Sequence, residues 1–276
     1  MEENNQSELS EMSFWDHVED LRMTLFKIFG ILLTLTIVLF IFMPKIFDYV
    51  ILAPCNGKFI LYKWLGLIAH YIPGLDSFSA PDFHVDLINI QLASQFYIHL
   101  STSFWLALVL AFPLVVYSLW QFVSPALYPN EKRNARMVFV FGNFLFYIGV
   151  AVGYFTVFPF SLRFFADYHV SELVPNQISL DSYIDSFLSL NFTMGLVFEL
   201  PLLSMLLSRM GLIRRSFFSR YRRHAVVILM IMAAIITPSD PFSMIAVFMP
   251  LYVLYEASAL LVKKDEVPTE ETTTEN

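Results

Sequence analysis

Cysteine is almost absent from this sequence of 276 residues, in which Cys55 stands alone. One thiol excludes an internal disulfide framework and any metal site built from several cysteines. Charge is scarce too, since 15% of the residues are charged, against about 25% in soluble domains. The chain carries no phosphate-binding Walker loop, no Gly-x-Ser-x-Gly elbow and no paired-histidine metal spacing. We therefore predict no enzymatic active site, no cofactor and no bound metal.

Hydrophobic residues make up 57% of the chain, and 29 residues are phenylalanine. This excess indicates a polytopic membrane protein. The predicted fold class is all-α, an integral membrane bundle of six transmembrane helices. One domain is expected over residues 1–262, followed by a disordered acidic tail over 263–276. The predicted spans are 24–43, 96–120, 137–160, 183–208, 221–236 and 242–262.

The fifth and sixth predicted spans are short. Residues 225–236 are 12 uninterrupted apolar residues. At about 1.5 Å per residue they cover about 18 Å of the roughly 30 Å of hydrocarbon. Two interpretations stay open: two short spans that thin the bilayer locally, or one buried hairpin that never crosses it.

Basic residues are distributed unequally between alternate connecting segments. Twelve lie in the segments on one side, and four lie in the loops on the other. By the positive-inside rule the richer side is cytoplasmic, which predicts a multi-pass protein of the cell (inner) membrane with both termini in the cytoplasm. The twelve are Arg22, Lys132, Arg133, Arg136, Arg209, Arg214, Arg215, Arg220, Arg222, Arg223, Lys263 and Lys264, and the four are Lys45, Lys58, Lys63 and Arg163.

The predicted outer loop over residues 45–95 is long. Its stretch "KFILYKWLGLIAHYI", residues 58–72, has apolar and aromatic residues spaced as in an interfacial helix. The role of this loop stays open.

A helix is predicted to begin at "SFWDHVEDLR", residues 13–22. Apolar residues recur there with helical spacing, while Asp16, Glu19 and Asp20 fall together on another side. These acids form either a solvated face at a helix start, where the dipole favours them, or a dock for a cationic partner.

The segment "QFVSPALYPNEKR", residues 121–133, is predicted to be the loop between the second and third spans. Two prolines restrict its backbone. Glu131 is its only acid and stands next to two basic residues. The acid pairs either with these neighbours or with a partner molecule.

Residues 208–224 hold six arginines and no acid. We expect this segment to set the topology and to contact anionic lipid, and we predict no binding of nucleic acid. The tight turn that follows the fifth span, "ITPSDPF" over residues 236–242, ends with Asp240 ahead of the sixth helix, where an acid serves as a cap.

Glu199 stands alone in the apolar run "NFTMGLVFELPLLSMLL", residues 191–207. A carboxylate at that depth has to be neutral, paired or hydrated. Asn191, Gly195 and Glu199 follow at steps of four and form one polar stripe, with Gly195 expected to leave room beside the acid. Pro201 is expected to kink the helix. Glu199 makes either an internal hydrogen bond or a polar notch for a partner's helix.

Six motifs occur in an order that resembles the TatC family, the multispan subunit of the twin-arginine (Sec-independent) protein translocase. They are "HVEDLR", "APCN", "SPALYPNEKR", "FYIGVAVGYFTVFP", "FELP" and "TPSDPFS", between residues 17 and 243. The resemblance implies six helices with the fifth and sixth short. It also implies binding of twin-arginine signal peptides, cooperation with TatA-type and TatB-type single-span subunits and further copies of the chain, and transport of folded proteins driven by the proton-motive force.

The resemblance also assigns roles to residues. Glu131 and Asp20 would meet the two arginines of the signal peptide, with Glu19 sharing the role of Asp20. Phe122, Pro125, Leu127 and Tyr128 would shape that site. Glu199 and Thr237 would dock the partner helix, and His17, Leu21, Arg22, Pro54 and Asp240 would complete the structural motifs.

Two other functions remain compatible with the pattern of residues. A proton-coupled small-molecule secondary transporter would also hold an acid such as Glu199 in mid-membrane and prolines in several spans. A purely structural membrane scaffold would tolerate replacement of its loop acids. Uptake of small solutes by the reconstituted chain separates the transporter from the translocase.

Overall fold

The computed structural model describes residues 14–69, 83–124, 129–171, 173, 176–209, 215–237 and 241–262. These residues are overwhelmingly helical, as the apolar composition predicts. The predicted tail, 263–276, lies outside the described residues. The α-helices are α1 (Phe14–Ile46), α2 (Ile60–Ala69), α3 (Ser94–Val123), α4 (Pro129–Val152), α5 (Phe158–Asp167), α6 (Leu180–Val197), α7 (Leu200–Arg209), α8 (Arg215–Ile236) and α9 (Pro241–Leu261).

The chain divides into two compact units. The first unit comprises Met1–Ile46 and Gln95–Asn143, and the second comprises Phe47–Ser94 and Phe144–Asn276. The single membrane domain expected over residues 1–262 stays a prediction.

Helices α1 and α3 run antiparallel in the first unit. The His17 ring stacks on the Phe122 ring with centroids 4.5 Å apart, and the Phe40 ring stacks on His99 with centroids 3.9 Å apart. From one stack to the other each helix advances by 23 residues, 17 to 40 and 99 to 122. That length is about 34 Å at the rise of an α-helix, which matches the hydrocarbon thickness.

The second unit is built around α6. Its fully buried side chains include Tyr183, Ile184, Leu190 and Met194 of α6. Helix α9 packs against α5, α7 and α8, and α6 packs against the π-helical turn Gly153–Val157 that joins α4 to α5. Aromatic edges fill the space between these helices, as where the Phe158 ring meets Tyr183 at 5.2 Å.

The predicted outer loop contains regular structure. The stretch expected to be helical forms α2, while its interfacial position stays a prediction. A π-helical turn (Phe47–Ile51) and a 3-10 turn (Ala53–Cys55) precede α2. Two short parallel strands follow, β1 (Leu87–Ile88) and β2 (Ile178–Ser179), in the register Leu87 to Ile178.

Tyr62 of α2 fixes this outer segment to the rest of the second unit. Its buried hydroxyl lies 3.0 Å from the Pro54 carbonyl oxygen and 3.1 Å from that of Pro159. A tyrosine hydroxyl is protonated at neutral pH in any case, and burial raises the pKa of Tyr62 further. Pro54, a motif residue, is itself buried. Its carbonyl therefore ties α2 to the 3-10 turn.

Five helical segments among the described residues are long and apolar enough to cross a membrane. They establish an α-helical membrane bundle and correspond to predicted spans one to four and six. Helix α8 corresponds to the predicted fifth span but is not among the five, because only its second half is apolar. The count of six therefore stays a prediction. The five are His17–Cys55, Ser94–Phe122, Phe139–Asp167, Leu180–Ser208 and Ser243–Leu260.

The prediction that residues 121–133 form a loop is corrected by the structure. Helix α3 continues to Val123, and α4 already begins at Pro129. Proline is favoured at the first helical position, since its missing N–H would have no partner there and its φ suits the helix. Glu131 therefore lies in the first turn of a helix and not in a loop.

Candidate functional site

The "HVEDLR" motif and the end of α3 meet within the first unit. The exposed His17 ring lies against the half-buried Phe122 ring at an interplanar angle of 19°. His17 belongs to the motif "HVEDLR", and Phe122 stands two residues before the motif "SPALYPNEKR". Two segments about a hundred residues apart in sequence are thus brought together, as the predicted signal-peptide site requires.

The acids beside this stack differ in their environment. Glu19 Oε1 accepts a hydrogen bond from Arg22 Nη2 at 2.8 Å, and both side chains are exposed. Asp20 is also exposed, and it forms no ion pair with any residue that the structure describes. Leu21, the remaining motif residue, is 39% exposed. Asp20 is therefore the more available carboxylate for a cationic ligand.

The other predicted residues of this site are placed only in part. The backbone of Glu131 lies in the first turn of α4, and its side chain is outside the described part of the chain. Pro125, Leu127 and Tyr128 also lie outside the described residues. The grouping of Glu131 with Asp20 stays a prediction.

Glu199 lies at a break in the fourth predicted span. Helix α6 ends at Val197, and α7 begins at Leu200. The Glu199 amide donates to the Leu196 carbonyl at 3.0 Å, three residues back and not four. Pro201 explains the break, because it has no N–H for the Val197 carbonyl and its ring clashes with that group. The α-helical pattern is thus interrupted at residues 198–199, within the helical segment Leu180–Ser208, and the kink itself stays a prediction.

The Glu199 carboxyl group places a polar side chain at the break between α6 and α7. Its Oε1 atom is buried and has no hydrogen-bond partner among the described residues. Buried polar atoms in proteins are almost always paired, and an unpaired one is costly. The site therefore has the capacity to accept or share one more hydrogen bond.

The expectation that Gly195 leaves room beside the acid is wrong. A Cβ atom on Gly195 would lie 2.7 Å from Phe146 Cε2 and 2.9 Å from Val150 Cγ2. The space is filled by α4, so the glycine serves close helix packing. Asn191 is buried as well, and its Nδ2 donates to the Phe187 carbonyl at 2.6 Å within α6.

Sequence reasoning missed the reason for this close packing. Gly149 and Gly153 of "GVAVG" are a Gly-x-x-x-Gly pair, a pattern that lets membrane helices approach. A Cβ at Gly149 would lie 2.5 Å from the Met194 carbonyl oxygen and 2.8 Å from Phe198 Cβ. A Cβ at Gly153 would meet Asn191 Oδ1 at 2.9 Å. Gly149 of α4 and Gly153 of the π-helical turn thus allow close contact with α6 and with Phe198, the residue before Glu199.

Thr237 directly follows the end of α8 and is 5% exposed. Its Oγ1 donates to the Ala233 carbonyl at 2.9 Å, so its hydroxyl is satisfied within its own helix. Asp240, the predicted cap of α9, lies outside the described residues. The docking role of Thr237 stays a prediction.

Comparison with known proteins finds similarity to the TatC family. A family model described as "Sec-independent protein translocase protein (TatC)" matches residues 16–250. A Sec-independent protein translocase protein TatC of Blattabacterium sp. subsp. Periplaneta americana (strain BPLAN) is 35% identical over 255 residues, 91% of this chain and 95% of that relative. The protein of the same name from Helicobacter pylori (strain ATCC 700392 / 26695) is 35% identical over 204 residues, 74% of this chain and 80% of that relative.

Two solved structures share the fold. A crystal structure of the twin arginine translocase receptor TatC has a TM-score of 0.63 at 26% identity and covers 89% of this chain and 97% of its own. A second, of the same receptor in DDM, has a TM-score of 0.66 at 27% identity and covers 90% and 99% of the two chains.

Proposed function

The chain belongs to the TatC family and is a component of a Sec-independent protein translocase, and we propose that within it the chain is the receptor for twin-arginine signal peptides. In this role it binds the peptide of a folded passenger on the cytoplasmic side. With single-span subunits of the TatA and TatB type it then moves the passenger across the membrane, using the proton-motive force. The proposal assigns the chain binding and assembly roles and no chemical reaction.

The stack of His17 on Phe122 supports this proposal most directly. Positions predicted to contact the arginine pair follow each of them in the chain: Asp20 comes three residues after His17, and Glu131 comes nine residues after Phe122. This aromatic contact joins the two segments that each carry a predicted acid, which supports the proposal.

Arginine pairs suit such carboxylates. A guanidinium group is a planar fork that binds a carboxylate through two hydrogen bonds, whereas lysine offers a single point charge. Asp20 is exposed and lacks an ion pair among the described residues, while Glu19 is already held by Arg22. We assign Asp20 to one arginine and Glu131 to the other, with Glu19 as a secondary contact.

Charge alone gives little affinity, because an exposed ion pair contributes about 0–1 kcal/mol. The remaining affinity has to come from the apolar segment of the signal peptide. Helix α1 offers exposed apolar side chains further along, where Phe26, Phe29 and Leu33 are each at least half exposed. At 100° per residue they lie on the side of α1 that carries Glu19 and not on the side of Asp20, so this surface would take an apolar segment that leaves the site past Glu19.

Crosslinking tests whether Glu131 contacts the arginine pair of the signal peptide. A twin-arginine peptide that carries a photocrosslinker is added to membranes that contain the wild-type chain, Glu131→Ala or Glu131→Arg. We expect both variants to insert normally and to crosslink less than the wild-type chain, Glu131→Arg least of all because its positive charge repels the arginines of the peptide. The matched control is Asp185→Ala, which removes an exposed acid of the second unit. Crosslinking at the normal level in the Glu131 variants would remove Glu131 from the site.

The transporter interpretation makes a different prediction. A proton-coupled carrier usually pairs its membrane acid with another polar or charged group. Glu199 Oε1 has no hydrogen-bond partner among the described residues. The chain reconstituted alone in vesicles is therefore expected to take up no small solute in response to a pH gradient.

A further inference from the structure

Helix α8 has two faces with different environments. On one face Phe218, Leu229 and Ala233 are buried against the rest of the second unit. Near Phe218 two polar contacts join α8 to α9: the Tyr255 hydroxyl donates to the Phe218 carbonyl at 2.8 Å, and Arg222 Nη2 lies 2.8 Å from Glu256 Oε2. This face is fully used by α9 and its neighbours.

The opposite face of α8 is exposed along its whole length, and its chemistry changes halfway. At 100° per residue, Arg220, Arg223 and His224 fall on one side of the helix, and all three are exposed. The same side continues with Val227 and Ile231, which are 57% and 55% exposed. Little more than one turn of basic side chains is thus followed by turns of aliphatic ones.

The basic half of this face of α8 carries arginines that are not neutralised by an acid among the described residues. Arg222 is paired with Glu256, but Arg220 and Arg223 form no ion pair within the part of the chain that the structure describes. Phe217 and Tyr221 stand beside them with ring centroids 4.9 Å apart. Basic and aromatic side chains together are typical of the headgroup level of a membrane.

The aliphatic half has the length of one leaflet. From Val227 to Ile235, which is 78% exposed, the helix rises by about 12 Å. One leaflet of hydrocarbon is roughly 15 Å thick, half of the full core. The exposed face therefore presents cations for one headgroup and an aliphatic strip for the acyl chains below it.

We propose that this face of α8 binds an anionic phospholipid. The phosphate lies between Arg220 and Arg223 with His224 beside it, and the acyl chains lie along Val227, Ile231 and Ile235. The lipid holds the start of α8 at the headgroup level, which a helix with only 12 uninterrupted apolar residues, 225–236, needs in order to keep a defined depth. The acidic tail of the chain, residues 265–276, could neutralise the arginines but offers almost nothing to cover the aliphatic strip.

Native mass spectrometry tests this site with the full chain in mild detergent. Dioleoyl phosphatidylglycerol is titrated against the wild-type chain, with dioleoyl phosphatidylcholine as the neutral probe. An arginine near an anionic headgroup is worth about one kcal/mol, so loss of two corresponds to roughly 30-fold weaker binding. We expect that loss for Arg220→Gln/Arg223→Gln and a change below about twofold for Lys58→Gln/Lys63→Gln, which removes two exposed cations of the same unit. Size-exclusion profiles establish that both variants are folded.

A competition experiment and a truncation distinguish the lipid from other occupants of this face of α8. Glycerol 3-phosphate at the concentration that saturates the lipid should not compete, and competition would place a soluble anion at the arginines instead. Truncation after Lys264 should leave lipid binding unchanged, and a rise of tenfold or more would show that the tail occupies the face. Equal phosphatidylglycerol binding by the wild-type chain and by Arg220→Gln/Arg223→Gln would also overturn the proposal.

Discussion

His99 of α3 donates a hydrogen bond to the carbonyl oxygen of Phe40 in α1, with Nε2 and O 2.8 Å apart. That carbonyl would normally accept from the amide four residues on, but residue 44 is a proline inside α1. A carbonyl without a partner is costly in hydrocarbon, where no water replaces the missing donor. His99 thus satisfies the group that Pro44 releases, and its ring stacks on Phe40 at the same time.

This relationship predicts that replacing Pro44 compensates for loss of the His99 donor. His99→Phe keeps an aromatic ring beside Phe40 but removes the donor, and we expect it to lower the free energy of unfolding by about 1 kcal/mol. In a Pro44→Ala background residue 44 supplies the amide itself, so the same substitution should cost close to nothing. Thermal unfolding in detergent of the four proteins of this cycle gives the coupling energy. Equal losses in both backgrounds would contradict the role of Pro44.

The contact between α4 and α6 predicts a contrast between two glycines. Gly149→Ala places a Cβ 2.5 Å from the Met194 carbonyl oxygen, and overpacking of this kind costs about 1–3 kcal/mol. Gly30 has nothing within 4 Å of its would-be Cβ. Gly30→Ala should therefore be neutral or stabilise by up to about 1 kcal/mol through helix propensity. Melting temperatures of the two variants, compared with the wild-type chain, check the contrast, and a lower melting temperature for Gly30→Ala than for Gly149→Ala would refute it.

The unequal distribution of basic residues predicts the topology. In a Cys55→Ala background, cysteines placed at Ser219 and Asn276 should react with a membrane-impermeant maleimide only from the cytoplasmic side. Lys58→Cys, in the predicted outer loop, should react only from the other side and serves as the control. Labelling of Ser219→Cys or Asn276→Cys in intact cells would contradict the six-span arrangement.

The acids at the start of α1 predict unequal effects on signal-peptide binding. Asp20→Ala should weaken binding of a twin-arginine peptide by up to about fivefold, the worth of an exposed ion pair of about 1 kcal/mol. Glu19→Ala should have a smaller effect, because Glu19 is already paired with Arg22 at 2.8 Å. Titration with a fluorescent peptide and with its twin-lysine analogue measures both. A larger loss in Glu19→Ala would reverse the assignment.

Glu199 predicts a graded effect on transport. Glu199→Gln keeps a donor and an acceptor at the break between α6 and α7, so it should support more transport of a folded passenger than Glu199→Ala. Both variants should still bind signal peptide, because the proposed reader belongs to the other unit. A crosslinker at position 199 should capture the helix of a TatA-type or TatB-type subunit. Capture of this chain alone, with full transport in Glu199→Ala, would assign Glu199 a structural role.

Local structure could be predicted from the sequence where a single residue determines the backbone conformation. The helix break at Glu199 follows from Pro201, whose missing N–H and bulky ring disturb the preceding turn wherever the helix lies. The helical stretch of the outer loop, α2, follows from the spacing of its apolar residues. Glu131 was misplaced in a loop because Pro125 and Pro129 were both taken as loop residues, although proline also begins helices.

Pairing between distant segments was much harder to predict. Gly195 was expected to leave a gap beside Glu199, yet Phe146 fills the position, and nothing within residues 191–207 indicates that α4 approaches there. The Gly-x-x-x-Gly pair in "GVAVG" was the available signal. The same difficulty applies to His99, whose partner is a carbonyl 59 residues away.

The sequence by itself determined the membrane class, the predicted spans and the identity of the polar groups within them, because hydrocarbon solvent penalises each polar residue according to its own chemistry and position. Only the tertiary structure decided which polar groups are satisfied. His99 satisfies the carbonyl released by Pro44, Thr237 is satisfied by its own helix, and Glu199 Oε1 has no partner among the described residues. A hydrogen bond depends on distances between segments far apart in the chain, and those distances exist only once the helices have packed.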